Sequence, residues 1–181
     1  MVKDKILSLL SDLQTAEWGH TGSSLQSHLR GTHDLLESWG NPSHVCLAGL
    51  FHSVYGTQSY KLQSVALARR ELIRGAIGED AELLVYLFCV AERDTFFSEA
   101  NKSKPQLFDR VHQQTVKVSA ANLRALIEIE VANYVEFLPR TPMTRIELKR
   151  FSAKIESAKE ILSPGAYEAV TRSLSEKTPA G

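Results

Sequence analysis

Two histidines of this chain could bring imidazole chemistry to one point inside a folded core. His28 falls on the same helical stripe as Leu25, Leu29 and Leu36, so its side chain should point into the interior with them. His52 ends the apolar run LAGLF and should also be buried. Two inward imidazoles on neighbouring helices can form half of a metal site, whereas a single buried histidine is more often a hydrogen-bonded core residue. The pattern leaves both interpretations open.

Helical segments that would position these residues occupy most of the chain. Apolar residues recur with the spacing of helices, and Gly, Pro and Ser separate the segments. We predict an all-α protein with one domain over residues 1–175 and a disordered tail at 176–181. A long excursion over 96–110 should contain a short helix, and the segment QTVKVS could be extended. The predicted helices span about 2–14, 24–39, 42–54, 64–77, 80–92, 120–137, 144–162 and 164–174.

Small residues indicate how the two histidine-bearing helices could approach each other. A row of small side chains that includes Gly49 lies on the face that carries His52, and Gly31 on the preceding helix could provide a matching gap. Antiparallel packing across these two glycines would let His28 and His52 converge. His33 lies about 140° around the helix from His28, so we expect it to be partly exposed and not a ligand.

Composition excludes several classes of partner. Lys and Arg number 21 and so do Asp and Glu, so no positive excess attracts nucleic acid. No apolar run approaches the roughly 18 residues of a membrane span, and the charged, amphipathic start of the chain is not typical of a signal peptide. Cys46 and Cys89 lie in apolar helical patterns without the CxxC spacing of a zinc site. We therefore expect a cytoplasmic protein with reduced core thiols and no nucleic-acid or membrane partner.

The stretch SHLRGTHDLLESWGNPSHVCLAGLFHSVYGT resembles the HD-domain superfamily of helical metal-dependent phosphohydrolases. Members carry one His on a helix and a His-Asp doublet after the apolar run of the next helix, so His28 matches the first His and His52 the doublet. HTGSS before His28 and RRELIRGAIGEDAELLVYLF after His52 are most similar to the hydrolase domain of the enzymes that make and degrade guanosine tetraphosphate. The resemblance covers about residues 17–137. It implies an HD-like helical bundle with extra C-terminal helices and a divalent metal, Fe, Mn or Zn.

Three positions depart from the pattern of that superfamily. Ser53 stands where the doublet requires Asp, and Tyr55 with Gly56 replaces an acidic pair. The last Asp ligand of the superfamily falls on Asn133 or, alternatively, on Asp94. A site of two imidazoles, a serine and an asparagine has no anionic ligand, so it would bind a divalent ion weakly.

A rearranged metal site is the alternative to a lost one. His20, just before the second predicted helix, could join His28 and His52. Asp94 or Glu130 would then supply the carboxylate, and three histidines with one carboxylate would suit iron, manganese or zinc.

The resemblance implies a hydrolase acting on a small substrate, such as a phosphorylated compound or a nucleotide, or one of the oxygenases that share the fold. The candidate catalytic groups are then His20, Ser53 and Tyr55, which would donate protons or position reactants. Thr57 and Lys61 are the candidate substrate contacts.

Two non-catalytic hypotheses compete with an enzyme. A ligand-binding or regulatory module could use the same cavity, with Arg69, Arg70 and Arg74 near enough to contact a phosphate, although these side chains could equally form a solvated helix face. An interaction protein could instead pack its C-terminal helices on a partner or on a second copy, giving a homodimer.

Overall fold

The computed structural model describes residue 6, residues 8–10, residue 12 and residues 22–177. Residues 6, 8–10 and 12 are helical. Within 22–177 we number the elements from the first complete helix onward. They are α1 (Gly22–Ser38), α2 (Ser43–Phe51), a 3₁₀ turn (Leu67–Arg69), α3 (Arg70–Ile77), α4 (Glu79–Val90), α5 (Arg93–Ser98), β1 (Gln106–Asp109), β2 (Gln114–Lys117), α6 (Ala120–Phe137), a 3₁₀ turn (Leu138–Arg140), α7 (Arg145–Ser157) and α8 (Pro164–Lys177).

The core lies where α1, α2, α4 and α6 meet. α1 packs on α2 and on α6, and α2 packs on both α4 and α6. α2 is the central helix because it is apolar on all sides, and it buries Val45, Ala48, Leu50 and Phe51. α8 packs on α6 and α7 packs on α8. The predicted all-α class is therefore confirmed, with one two-stranded hairpin added within the described ranges.

Helix ends follow the capping rules that the sequence suggested. Gly40 has φ of 78°, a conformation that favours glycine, and it ends α1. The hydroxyl of Ser119 accepts a hydrogen bond from the backbone N–H of Asn122 at 3.0 Å and caps α6. Thr144 and Glu147 form a reciprocal capping box at the start of α7. These ends match the predicted starts of the two long C-terminal helices.

The segment after α2 differs from its predicted helices. The predicted helix over 42–54 ends at Phe51, because the backbone N–H of Val54 turns back to the carbonyl of Phe51 at 2.9 Å. The predicted helix over 64–77 begins only at Arg70 after a 3₁₀ turn. Ser64 and Val65 both donate their backbone N–H to the carbonyl of Val54 at 3.0 Å, which holds this stretch extended against the turn after α2.

The stretch after α4 is a short helix followed by a hairpin. α5 begins before the excursion predicted over 96–110 and overlaps it only at residues 96–98, and the predicted extended piece QTVKVS contains β2, which pairs antiparallel with β1. The hairpin is tied to the end of α4, since Arg110 donates its backbone N–H to the carbonyl of Val90 at 2.9 Å and Glu92 donates to that of Phe108 at 2.8 Å. These bonds fix the place where Arg93 begins α5.

The C-terminal helices also differ in length from the prediction. α7 ends at Ser157 rather than near Leu162, because Ala158 bonds back to the carbonyls of Lys154 and Ile155 and a turn follows. α8 continues to Lys177, so residues 176 and 177 of the predicted tail are helical. Residues 178–181, like the start of the first predicted helix, lie outside the described residues. No helix in the described part of the chain is long and apolar enough to cross a membrane.

The two glycines do not face each other as the sequence suggested. Gly49 packs on α1 at Leu36, where an added Cβ would lie 2.3 Å from Cδ1 of that leucine. Gly31 instead faces α6, where an added Cβ would lie 2.7 Å from Cγ of Glu136. The predicted glycine-to-glycine contact is therefore wrong, although α1 and α2 do pack closely.

Candidate functional site

A cavity of about 200 Å³ lies between α1, the turn after α2, the start of α5 and α6. Five of the predicted site residues line it, and they come from α1, from the segment after α2 and from α6. These are His28, His52, Ser53, Thr57 and Asn133. The full lining consists of Leu25, His28, His52, Ser53, Thr57, Ser59, Tyr60, Phe88, Arg93, Glu130, Asn133, Tyr134 and Phe137.

His52 lies at the C-terminal end of α2 and is 4% exposed. Its Nδ1 donates a hydrogen bond to the carbonyl of Gly49 at 2.7 Å. Burial, followed by the nearby charge of His28, lowers the pKa of His52 to about 3. His52 is therefore neutral near pH 7, and its Nε2 carries a lone pair that accepts hydrogen bonds.

His28 is held by a carboxylate from α6. Its Nδ1 contacts Oε2 of Glu136, and Arg140 donates to the same carboxylate at 2.6 Å. Burial raises the pKa of the Glu136 carboxyl, but the hydrogen bonds from Arg140 and His28 lower it by more, so it lies below its ordinary value. Gly31, one turn from His28 on α1, leaves the space that lets Glu136 reach the imidazole.

Asn133 contacts the ring of His28. Its Oδ1 is 3.0 Å from Nε2 of His28, and it lines the cavity together with His52, whose pKa it raises slightly. The two imidazole rings meet edge to face, with their centroids 5.3 Å apart. Polar contacts thus run from Glu136 through His28 to Asn133, while the carbonyl of Gly49 holds His52.

The two histidines differ in their partners. Both ring nitrogens of His28 meet polar side chains of α6, the Glu136 carboxylate at Nδ1 and Asn133 at Nε2. His52 instead donates through Nδ1 to the backbone carbonyl of Gly49, and its burial keeps the ring neutral near pH 7.

A second charged pair lines the cavity beside the histidines. Arg93 begins α5, pairs through Nη1 with Oε2 of Glu130 and lies with its guanidinium 3.4 Å above the ring of Phe88. Burial lowers the pKa of Arg93, while the attraction of Glu130 acts in the opposite direction. Arg93 was not among the predicted site residues. The signal in the sequence was a pair of charged residues, Glu92 and Arg93, just after the apolar helix that ends at Val90.

Two of the predicted site residues, Asp94 and Lys61, lie outside the cavity lining. Asp94 points outward with its side chain 77% exposed and pairs with Lys154 at 2.6 Å, so it does not line the cavity with the histidines. Lys61 is exposed and also outside the lining. His20 lies outside the described residues.

Tyr55 is fully buried but serves a different network. Its hydroxyl donates to Oε1 of Glu82 at 2.9 Å, and Arg70 donates to both oxygens of that carboxylate at 2.6 and 2.7 Å. Arg74 lies 3.9 Å from the same carboxylate. Burial, then Glu82, raises the pKa of Tyr55 above its ordinary range. Arg70 and Arg74 are thus paired with Glu82 and are not a free phosphate contact, and Tyr55 ties the turn after α2 to α4.

The donor set of the cavity does not fit a divalent metal. Both ring nitrogens of His28 already contact Glu136 and Asn133, and the candidate carboxylate on the cavity wall, Glu130, is paired with Arg93. Within the described residues, one group of three possible metal ligands has its ligand atoms within 4.8 Å of one another. This group, His33, Asp34 and Glu37, lies on the surface of α1 and not in the cavity. His33 is partly exposed, as predicted, with its side chain 14% accessible.

Comparison with known proteins gives one match. Residues 9–93, a little under half of the chain, match the family described as a domain of unknown function, DUF6817. The matched part carries His28, His52, Ser53 and Arg93, and it ends before α6, which contributes Glu130, Asn133 and Glu136. No curated protein and no solved structure matches the chain. The chain is therefore similar to an uncharacterised family over the half that supplies α1, α2 and the start of α5.

Proposed function

We propose that the chain is an HD-like helical module that binds a small polar molecule in the central cavity without a metal ion. The observation that carries this proposal is the position of Asn133, whose Oδ1 lies 3.0 Å from Nε2 of His28. A metal held by His28 would need this Nε2 atom, because Nδ1 of the same ring contacts Glu136. The resemblance to the HD superfamily then describes the ancestry of the cavity, and Ser53 and Asn133 replace the carboxylates that metal binding would require.

Polar groups remain available to a ligand in this cavity. The hydroxyls of Ser53, Thr57 and Tyr134 line it, and Arg93 and Glu130 form part of its wall. Burial, then the charge of Glu130, raises the pKa of Tyr134 to about 12, so its hydroxyl keeps its proton and can donate. A concave, partly apolar cavity with a few convergent polar groups is the usual form of a small-molecule site.

A metal-dependent enzyme of hydrolase or oxygenase type is the second candidate. Both histidines have Nδ1 bound to an acceptor, the Glu136 carboxylate for His28 and the Gly49 carbonyl for His52. Metal-ligating histidines are usually oriented by such partners. For this candidate, Asn133 would have to rotate away from the rings and Glu130 would have to leave Arg93.

Metal analysis separates the two candidates. Protein purified without chelators is measured by inductively coupled plasma mass spectrometry and then titrated with Fe²⁺, Mn²⁺ or Zn²⁺ while its melting temperature is followed. We expect less than about a tenth of an equivalent of metal and no rise in melting temperature that depends on His52.

The matched variants are His52→Ala and His112→Ala, because His112 lies on the surface beside Asp109 and away from the cavity. Stoichiometric metal that is lost in His52→Ala and kept in His112→Ala would establish the metal enzyme instead. A melting-temperature screen of small charged and uncharged metabolites tests the ligand site itself, and His52→Ala should reduce any shift that it detects.

A further inference from the structure

Every charged side chain on the cavity wall contacts an opposite charge. Arg93 pairs with Glu130, and Nδ1 of His28 contacts the carboxylate of Glu136. His52 is neutral. Arg140 also reaches Glu136, but its side chain is 62% exposed, so water screens it. The described wall of the cavity therefore presents balanced charge to a ligand.

A ligand with its own net charge would disturb this balance. An anion would have to compete with Glu130 for Arg93 or with Glu136 for His28, and either displaced carboxylate would be left largely buried, since Glu130 is 5% exposed. A cation would have to compete with Arg93 for Glu130, and the displaced guanidinium of Arg93 would be left without its partner. Charges in a partly buried site are costly unless they are paired, so an uncharged molecule keeps both existing pairs intact.

The remaining polar groups suit hydroxyl groups. The Ser53 and Tyr134 hydroxyls can each donate and accept, and one oxygen of Glu130 lies outside its bond to Arg93. The Thr57 hydroxyl already accepts the backbone N–H of Tyr60 at 3.0 Å and can still donate to a ligand. An alcohol also both donates and accepts, so it can satisfy each of these groups. Leu25 and Phe137 supply apolar wall for the C–H groups of such a ligand. At about 200 Å³ the cavity is smaller than the roughly 300 Å³ at which sites for drug-sized ligands begin.

We propose that the ligand of this cavity is a small, uncharged, polyhydroxylated molecule, a polyol or a monosaccharide. This inference rests on the proposed ligand-binding function and adds the chemical class of the ligand. The carboxylate of Glu130 has two roles in it. One oxygen neutralises Arg93, and the other accepts a hydrogen bond from a ligand hydroxyl.

Matched pairs of probes test the inference on the full chain. Erythritol, xylitol and myo-inositol are each compared by isothermal titration calorimetry with the monophosphate of the same polyol. We expect at least one uncharged probe to bind, and to bind at least tenfold more tightly than its phosphorylated counterpart. A phosphate that binds as tightly as its parent, or more tightly, overturns the inference but leaves a small-molecule site. If none of the six probes binds, the inference fails, and the melting-temperature screen of metabolites decides the proposed function separately.

A charge variant gives an independent readout. Glu130→Gln leaves Arg93 without its partner, so the preference should move at least tenfold toward the phosphorylated probes. Glu92→Gln is the matched control, because Glu92 is exposed, lies next to Arg93 and does not line the cavity. An unchanged preference in a folded Glu130→Gln protein contradicts the inference. If that variant fails to fold, the ranking of the probes on the unaltered protein still decides it.

Discussion

Glu136 reaches His28 only because residue 31, one turn along α1, is glycine. A Cβ at position 31 would lie 2.7 Å from Cγ of Glu136, closer than side chains approach in folded proteins. Gly31→Ala should therefore push Glu136 away and weaken its contact with Nδ1 of His28. We expect a loss of about 1 to 3 kcal/mol in the free energy of unfolding, the usual cost of overpacking, measured by urea denaturation.

Gly75→Ala is the control for this substitution. Gly75 lies within α3, and no atom lies within 4 Å of an added Cβ there. Replacing an exposed helical glycine by alanine should stabilise the protein by about 0.5 to 1 kcal/mol. The ¹⁵N shifts of His28 should also move in Gly31→Ala and stay unchanged in Gly75→Ala. Equal stability of the two variants, with unmoved His28 shifts, would contradict the role assigned to Gly31.

The buried neutral His52 predicts a loss of stability in acid. In the unfolded chain His52 takes up a proton as the pH falls below about 6.5, whereas the folded protein protonates it only near pH 3. The unfolded state therefore binds more protons between these values, and the free energy of unfolding should fall as the pH decreases from about 6.5 toward 3. One such group gives a slope of up to about 1.4 kcal/mol per pH unit.

The difference between the protein and His52→Gln isolates this contribution. Urea denaturation at pH 7, 6, 5 and 4 gives the free energy of unfolding for each protein. The slope of this free energy against pH should be smaller in the variant by up to about 1.4 kcal/mol per pH unit, which corresponds to one proton. His33→Gln is the control, because it also removes a histidine of the described core helices but leaves the buried His52 in place. Parallel pH profiles for His52→Gln and the unaltered protein would show that His52 is not the group that titrates.

The buried carboxylate of Glu82 holds the turn that carries His52 and Ser53. It is 1% exposed and accepts hydrogen bonds from Tyr55 and from Arg70. Tyr55→Phe should cost about 1 kcal/mol of unfolding free energy, the net value of one hydrogen bond. Glu82→Ala should cost about 2 to 3 kcal/mol, less than for a fully buried pair because the Arg70 side chain is 24% exposed.

Thermal denaturation of Tyr55→Phe and Glu82→Ala tests whether the second variant loses more stability than the first. Glu71→Ala is the control, because Glu71 has a side chain that is 78% exposed and pairs only with Arg74 at the surface, where ion pairs contribute little. A Glu82→Ala protein as stable as Glu71→Ala would mean that the network does not hold the turn.

Periodicity predicted the core better than it predicted the segment ends. α1, α2 and α6 were predicted because their apolar spacing is strong and because Gly40 and Ser119 mark helix ends. The stretch around Ser64 was predicted as helix from the same kind of pattern. Its backbone is instead held by hydrogen bonds to Val54, a tertiary contact that local sequence does not encode.

The candidate site was predicted only where its residues lie on strongly periodic helices. His28, His52 and Asn133 followed from helical phase and from the resemblance, and the fold brings all three to one cavity. Arg93 was missed because it begins α5, and its position depends on the hairpin that is bonded to the end of α4. The partner of His28 could not be read from spacing either, since Glu136 is 108 residues away in the chain.

Restoring the two missing carboxylates tests the resemblance to the HD superfamily directly. In the proposed resemblance Ser53 takes the place of the doublet Asp and Asn133, or alternatively Asp94, that of the last Asp; Ser53 and Asn133 both line the cavity with His28 and His52. The double variant Ser53→Asp, Asn133→Asp supplies two anionic ligands and removes the amide that contacts His28. We expect it to bind Mn²⁺ or Zn²⁺ at least tenfold more tightly than the unaltered protein, measured by calorimetry at pH 7, because anionic ligands offset the charge of the ion.

Ser59→Asp separates coordination from simple attraction, since Ser59 lines the same cavity and the substitution adds a negative charge away from the predicted ligand positions. It should raise metal affinity by much less than the double variant. A double variant that folds and still binds metal no better than Ser59→Asp would mean that the four positions do not converge as ligands. The resemblance would then describe the spacing of the histidines along the chain without the metal centre of the superfamily.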